Sequence, residues 1–193
     1  MSQEDAPRAP STPPIAPAEL VFRRATLADV SAIHALVESA YRGDESRAGW
    51  TTETELLDGT RTDEQEVRAL VESERSRILL AHDAATGALV GSVHIEDEGD
   101  AAYVGMFAVR PVLQARGVGR ALLAETERLA RDVLGRDVTR MTVIAQRPEL
   151  LAWYQRRGYA LTGQREPFPY DEARCGKPRR DDLVFEVLEK RVR

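Results

Sequence analysis

The sequence predicts a mixed α/β (α+β) fold in which a mostly antiparallel sheet of about six to seven strands is flanked by helices. Three observations predict it. Strand-like runs and helical periodicities alternate along the chain, a three-strand meander occupies its middle, and a strand runs straight into a helix through a glycine-containing loop at 109–120.

The first strand is 20–24, followed by Thr26 as the cap of a helix with Asp29 in its first turn. Val30, Ile33, Leu36, Val37 and Ala40 share one face of that helix, which ends near Tyr41. Residues 42–49 read as a polar loop. Two short helices are expected at 51–57 and 62–73, the second opened by a capping box in which Thr62 pairs with Gln65. Apolar and β-branched runs at 78–82, 89–96 and 101–109, separated by Ala-Thr-Gly and Glu-Gly-Asp, form the meander. A long amphipathic helix spans about 117–134 with Gly135 as its stop, and 138–145 is a strand. Pro148 opens a helix to about 157, Gly158 ends it, and strands at 159–164 and 183–189 complete the order.

With 193 residues the chain suits one compact domain, 19–193, after a Pro- and Ala-rich tail, 1–18, that reads as disordered. A hydrophobic fraction of 42% and a charged fraction of 31% are those of a soluble globular protein, and no run approaches the roughly 20 apolar residues of a membrane span. The net charge of -5 argues against a general affinity for nucleic acid. One cysteine, Cys175, excludes an internal disulfide, and His34, His82 and His94 are too scattered for a metal motif. Without a basic start and apolar core at the N-terminus, the expected location is the cytoplasm.

The loop 109–120 is the most chemical stretch. A helix start leaves about four backbone N–H groups unpaired and carries partial positive charge, so Gly117 and Gly119 would let a large anion such as a pyrophosphate approach. A P-loop would need Gly-Lys-Ser/Thr, and a dinucleotide fingerprint a third glycine where Leu122 stands. The competing structural role, glycines that merely shape a tight turn, is weakened by Arg116 and Arg120.

Gln114-x-x-Gly117-x-Gly119 resembles the Gln/Arg-x-x-Gly-x-Gly/Ala signature of the GNAT superfamily of N-acetyltransferases. Arg23-Arg24-Ala25-Thr26 with Asp29 is similar to that family's opening strand and helix, and Tyr154-Gln155-Arg156-Arg157-Gly158-Tyr159 to its late Tyr-x-x-x-Gly-Phe/Tyr segment, so the resemblance covers about 20–189. It implies a V-shaped splay between the fourth and fifth strands, here those ending at Val109 and Ala145, that admits the pantetheine arm of acetyl-CoA. Gly105 is consistent with a bulge or a close backbone approach in the first of them. Phe107, Ala108 and Val109 would then offer main-chain groups to the arm, while Gln114, Ala115, Arg116, Gly117, Val118, Gly119 and Arg120 cradle the diphosphate.

The implied activity is acetyl transfer from acetyl-CoA to the primary amine of a small molecule by direct attack in a ternary complex. Tyr154 matches the family's tyrosine as general acid, since a phenol of pKa about 10 can protonate a thiolate of pKa about 8.5. Packing of Trp153, Tyr154 and Tyr159 against the sheet is the competing role. Glu96 is the candidate base through water, with Asp97 and His94 as alternatives and a solvated hairpin face as the structural explanation. Tyr41, Trp50 and Glu53 fall where the family lines its acceptor pocket. The turn Phe168-Pro169-Tyr170 and the cluster Lys177, Arg179 and Arg180 could close its other side, although Asp181 and Asp182 can neutralise the cluster. Gln146 stands where many relatives carry asparagine, which puts a direct cofactor contact there in doubt. Two other readings stay open: a non-catalytic acyl-CoA-binding module, and an enzyme acetylating a protein N-terminus or lysine. A homodimer is the commonest assembly for such a chain.

Overall fold

The computed structural model describes residues 19–171 and 176–193, so the expectations for the tail 1–18 and for Cys175 lie outside the described residues. Seven strands, Leu20–Arg24 (β1), Ser76–Asp83 (β3), Leu89–Asp97 (β4), Ala102–Val109 (β5), Val138–Ile144 (β6), Ala160–Pro167 (β7) and Val184–Arg191 (β9), form one sheet in the order β1-β3-β4-β5-β6-β9-β7. Every neighbouring pair is antiparallel except β5–β6. A separate two-stranded ribbon pairs Leu57–Asp58 (β2) with Lys177–Pro178 (β8).

Helices cover both faces. Val30–Tyr41 (α1) and Glu64–Glu72 (α3) bury Ile33, Val37 and Val67 against Ile78 and Leu80 on one side. On the other, Val118–Asp132 (α4) and Pro148–Gln155 (α5) sit over Val93, Ile95, Val104 and Leu188, with Leu122 and Leu123 fully enclosed. A smaller cluster of Leu56, Leu57, Ile144, Phe168 and Leu183 lies beneath the ribbon.

Local chemistry accounts for most boundaries. The Thr26 N–H and hydroxyl both donate to the Asp29 carboxylate, which also receives the Arg23 guanidinium, so the entry to α1 is tied to β1. The cap of α3 is Asp63 rather than Thr62. Its carboxylate accepts the Glu66 N–H at 2.8 Å, while the Thr62 hydroxyl donates to the Glu66 side chain, so the expected box is shifted by one residue. Segment 42–49, which reads as a loop in the sequence, contains one helical turn, Gly43–Ser46 (α2). The helix expected at 51–57 is not formed. Thr51, Thr52 and Thr54 are poor helix formers whose hydroxyls bond one another or neighbouring side chains, and Glu53 is drawn into a tertiary ion cluster.

Strand β5 carries the decisive irregularity. Ser92 pairs with Ala108 but His94 with Gly105, so β5 holds one residue more than β4 over this stretch, and Met106 takes the left-handed conformation at φ 44°. The bulge is thus at Met106, not at Gly105. Gly105 instead answers a close approach: a Cβ there would come 2.8 Å from the Tyr103 ring. One inserted residue reverses the side-chain alternation. Ala102 and Val104 face α4, whereas Met106 and Ala108 face α1. Beyond Ala102↔Thr139 and Tyr103↔Arg140, β5 and β6 no longer pair, while β6 stays paired with β9 along its whole length. The expected splay is present between these strands.

Since Leu122 is fully buried between α4 and the sheet, Leu122→Ala is expected to lower unfolding stability by about 2–5 kcal/mol, read from denaturant midpoints at unchanged m-value.

Candidate active site

Two cavities open at the parting of β5 and β6. The first, about 380 Å³, is walled by the β5–α4 loop (Val109, Gln114, Ala115, Gly117, Gly119 and Arg120), by Trp50 and Thr51, and by Leu150, Trp153 and Arg157 of the α5 region. The second, about 530 Å³, is walled by His94 and Glu96 of β4, by 103–107 of β5 and 141–144 of β6, by Glu53, Arg61 and Glu66, and by Glu166, Pro167 and Pro169. Tyr41, Phe107, Arg147, Leu150 and Tyr154 line both, so these side chains form the partition where the two spaces meet.

The first cavity has the features of an anion site. Gly117 caps α4 at φ 96°, a conformation that favours glycine, and no side chain caps the helix, so its first-turn N–H groups are not engaged by a capping side chain. Arg120 and Arg157 add positive charge, and the Arg157 guanidinium lies 3.6 Å from the Trp153 ring centroid. Burial, followed by the fields of Arg156 and Arg120, lowers the Arg157 pKa, so a nearby anion would be favoured. Gln114 uses its side chain within the protein: its carbonyl accepts the Trp50 N–H at 3.0 Å and its amide donates to the Val109 carbonyl. Ala108 and Val118 are enclosed in the core and Arg116 lies outside the cavity wall, so their side chains do not reach this space. Main-chain acceptors of β5 are partly taken, since the Tyr41 hydroxyl donates to the Phe107 carbonyl at 3.0 Å.

Tyr154 is 5% exposed, and its hydroxyl bonds to no described residue. Its ring meets Trp153 edge-on at 4.9 Å, Tyr159 at 5.7 Å and Phe107 at 6.4 Å. Packing and a hydroxyl with no partner among the described residues therefore coexist in one residue. Burial pushes the phenol well above its ordinary range, with lesser contributions from Tyr41 and Tyr159, so it stays protonated at every physiological pH.

The second cavity mixes charges. Glu53 is 6% exposed and accepts from Arg42 at 2.6 Å and from Arg147 at 2.8 Å, while Arg147 also donates to the Thr51 hydroxyl. Burial alone would raise the Glu53 pKa, but Arg147, Arg42 and Arg61 outweigh it and hold the carboxylate ionised. Sequence reasoning missed Arg42 and Arg147; an arginine just before a helix-opening proline carries no signal of a carboxylate 94 residues away.

Glu96 lies at the rim, partly exposed, with its carboxylate 3.8 Å from His94 Nε2. His94 is buried and bonded through Nε2 to the Ser76 hydroxyl at 2.7 Å; burial lowers its pKa to about 4. Asp97 is not placed to act as a base, because Arg136 binds it at 2.7 and 3.0 Å and it lines neither cavity. Of the basic cluster, Arg179 pairs with Asp58 and Arg180 with Asp182, and neither these nor Lys177 line the second cavity. Pro169 does line it. Gln146 donates to the Asp182 carbonyl, so its amide serves the fold. Among the described residues no group of His, Cys, Asp and Glu could hold a metal ion, and no helix is long and apolar enough to cross a membrane.

A family model described as the acetyltransferase (GNAT) domain matches residues 44–168, nearly two thirds of the chain and all of the β5–α4 loop and Tyr154. The chain belongs to the GNAT acetyltransferase family. No curated protein matches it by sequence. Among solved structures, the spermidine/spermine N-acetyltransferase SpeG from Vibrio cholerae superposes with a TM-score of 0.64 at 16% identity, over 91% of this chain and 94% of that one. A point mutant of the same enzyme gives 0.66 at 15% identity, over 91% and 95%. A putative phosphinothricin N-acetyltransferase gives 0.64 at 18% identity, over 90% and 99%. At these identities the likeness is one of GNAT fold, including its seven-stranded mixed sheet.

The neutral His94 makes a pH prediction. Its folded pKa of about 4 lies below the roughly 6.5 of an unfolded histidine, so the unfolded chain binds the extra proton between those values and stability falls as pH drops from about 6.5 to 4. Urea midpoints measured across that window should decline in the wild type and decline less in His94→Gln.

Proposed function

We propose that this GNAT-family enzyme transfers an acetyl group from acetyl-CoA to the primary amine of a small molecule, by direct attack within a ternary complex. The observation that carries the reading is Tyr154: a buried tyrosine whose hydroxyl bonds to no described residue, on the wall shared by an anion-suited cavity and a carboxylate-bearing one.

The residues of the first cavity fit the donor. The uncapped N-terminus of α4, Arg120 and Arg157 suit a diphosphate, and the apolar trough of Trp50, Phe107 and Trp153 suits an uncharged arm. When bound, acetyl-CoA supplies an activated thioester. A main-chain N–H at the Met106–Phe107 bulge would polarise its carbonyl, a contribution of the type worth roughly 3 kcal/mol per donor. Tyr154 holds the proton on Oη that the departing sulfur needs.

The acceptor fits the second cavity. Its carboxylates Glu53, Glu66, Glu96 and Glu166 outnumber its cations Arg61 and Arg147, which favours a cationic ligand. The names of the structural relatives, acting on spermidine and on phosphinothricin, support a small amine over a protein chain. An alkyl ammonium of pKa near 10.4 must lose a proton before attack. Glu96, at the rim and facing the same cavity, accepts it through water; His94 beside it stays neutral and keeps that carboxylate free of a fixed cation.

Thiol release measured over a panel of small amines and short peptides tests the acceptor class; release with peptides alone would overturn it. Tyr154→Phe should lower kcat by about 10²-fold while the dissociation constant for CoA changes little. Because the phenol is pushed upward, wild-type kcat should show no falling limb up to about pH 10, the ordinary phenol value. Glu96→Gln should depress kcat/KM most at neutral pH, with the deficit narrowing as the amine deprotonates unaided.

A further inference from the structure

Resting on the reading that acetyl-CoA occupies the first cavity, we infer that Trp50 is a donor-binding residue that roofs the neutral, amide-bearing arm of the cofactor, and not part of the acceptor pocket. Trp50 lines the first cavity and is absent from the wall of the second. Trp50 is 40% exposed, a large hydrophobic residue left partly uncovered, and its ring stacks on Trp153 at 6.4 Å and 29°. Trp153 in turn contacts Tyr154 and Phe107, and it would meet a Cβ at Gly119 at 3.4 Å. The indole pair therefore lies between the partition tyrosine and the helix start that suits the phosphates. That stretch of a bound donor is its uncharged arm, whose methyl and amide groups match an aromatic surface.

The chain on either side of Trp50 is fixed. Its N–H is held by the Gln114 side chain, and a Cβ on Gly49 would come within 2.4 Å of Gln114 Oε1, so a larger residue at 49 would displace that side chain from the Trp50 N–H. On the far side, Thr51 and Glu53 are held by Arg147, and Thr52 by Ser46. A pinned backbone carrying an exposed indole loses little further freedom when the ring is covered by ligand, which favours binding.

Calorimetry of the full chain with CoA and with adenosine 3′,5′-bisphosphate, which keeps the adenosine and its 3′-phosphate but lacks the arm and one phosphate of the diphosphate, tests this. Trp50→Ala should weaken CoA binding by about tenfold or more, leave the bisphosphate within about twofold, and leave the acceptor KM at saturating donor unchanged; Trp50→Phe should recover most of the loss. Both tryptophans of the chain line this cavity, so wild-type fluorescence should change on adding CoA. If wild type binds CoA and Trp50→Ala binds it equally, or if only the acceptor KM rises, Trp50 has no such role. If wild type does not bind CoA at all, the donor assignment of the cavity fails, and this inference with it.

Discussion

The site depends on the bulge at Met106. One extra residue in β5 reverses which face its side chains address and turns the strand away from β6, so the two part after only two paired positions. The parting creates the space in which both cavities lie. It also frees main-chain groups at the centre of a sheet, where they would otherwise be consumed by ladder hydrogen bonds. A non-glycine residue in the left-handed region is sterically unfavourable, and it is held here by Met106 packing among Ile78, Leu80 and Ala108 beneath α1.

The partition between the cavities is aromatic on one side and ionic on the other. Tyr154 meets Phe107 and Trp153 edge-on, and those two tilt against each other, which gives Tyr154 a fixed position without using its hydroxyl. Arg147 stands across from them and, through Glu53, joins the start of α5 to the segment after α1. Two arginines around one buried carboxylate satisfy its charge, and removing either partner would leave an ion in a low-dielectric place. The cluster therefore orders a loop that has little secondary structure of its own.

Charge is distributed unevenly between the two spaces. Guanidiniums and an uncapped helix start gather at the first, carboxylates at the second, and the tyrosine between them is kept neutral by burial. A donor with an anionic tail and an acceptor arriving as a cation would each be drawn to its own side, with their reactive ends meeting at the partition.

Local signals carried much of this. The strand and helix periodicities, the meander, the glycine-shaped start of α4 and the position of Tyr154 are all written in residues close together in the chain, where turn chemistry and side-chain period act directly. What only the tertiary structure decided involves residues far apart: the bulge falling on Met106 instead of Gly105, Glu53 lying between Arg42 and Arg147 instead of in a helix, and Trp50 lining the first cavity with its backbone N–H bonded to Gln114, 64 residues on. Strand register, buried ion pairing and loop docking are set by partners that no local window contains, and for that reason composition and spacing along the chain could not specify them.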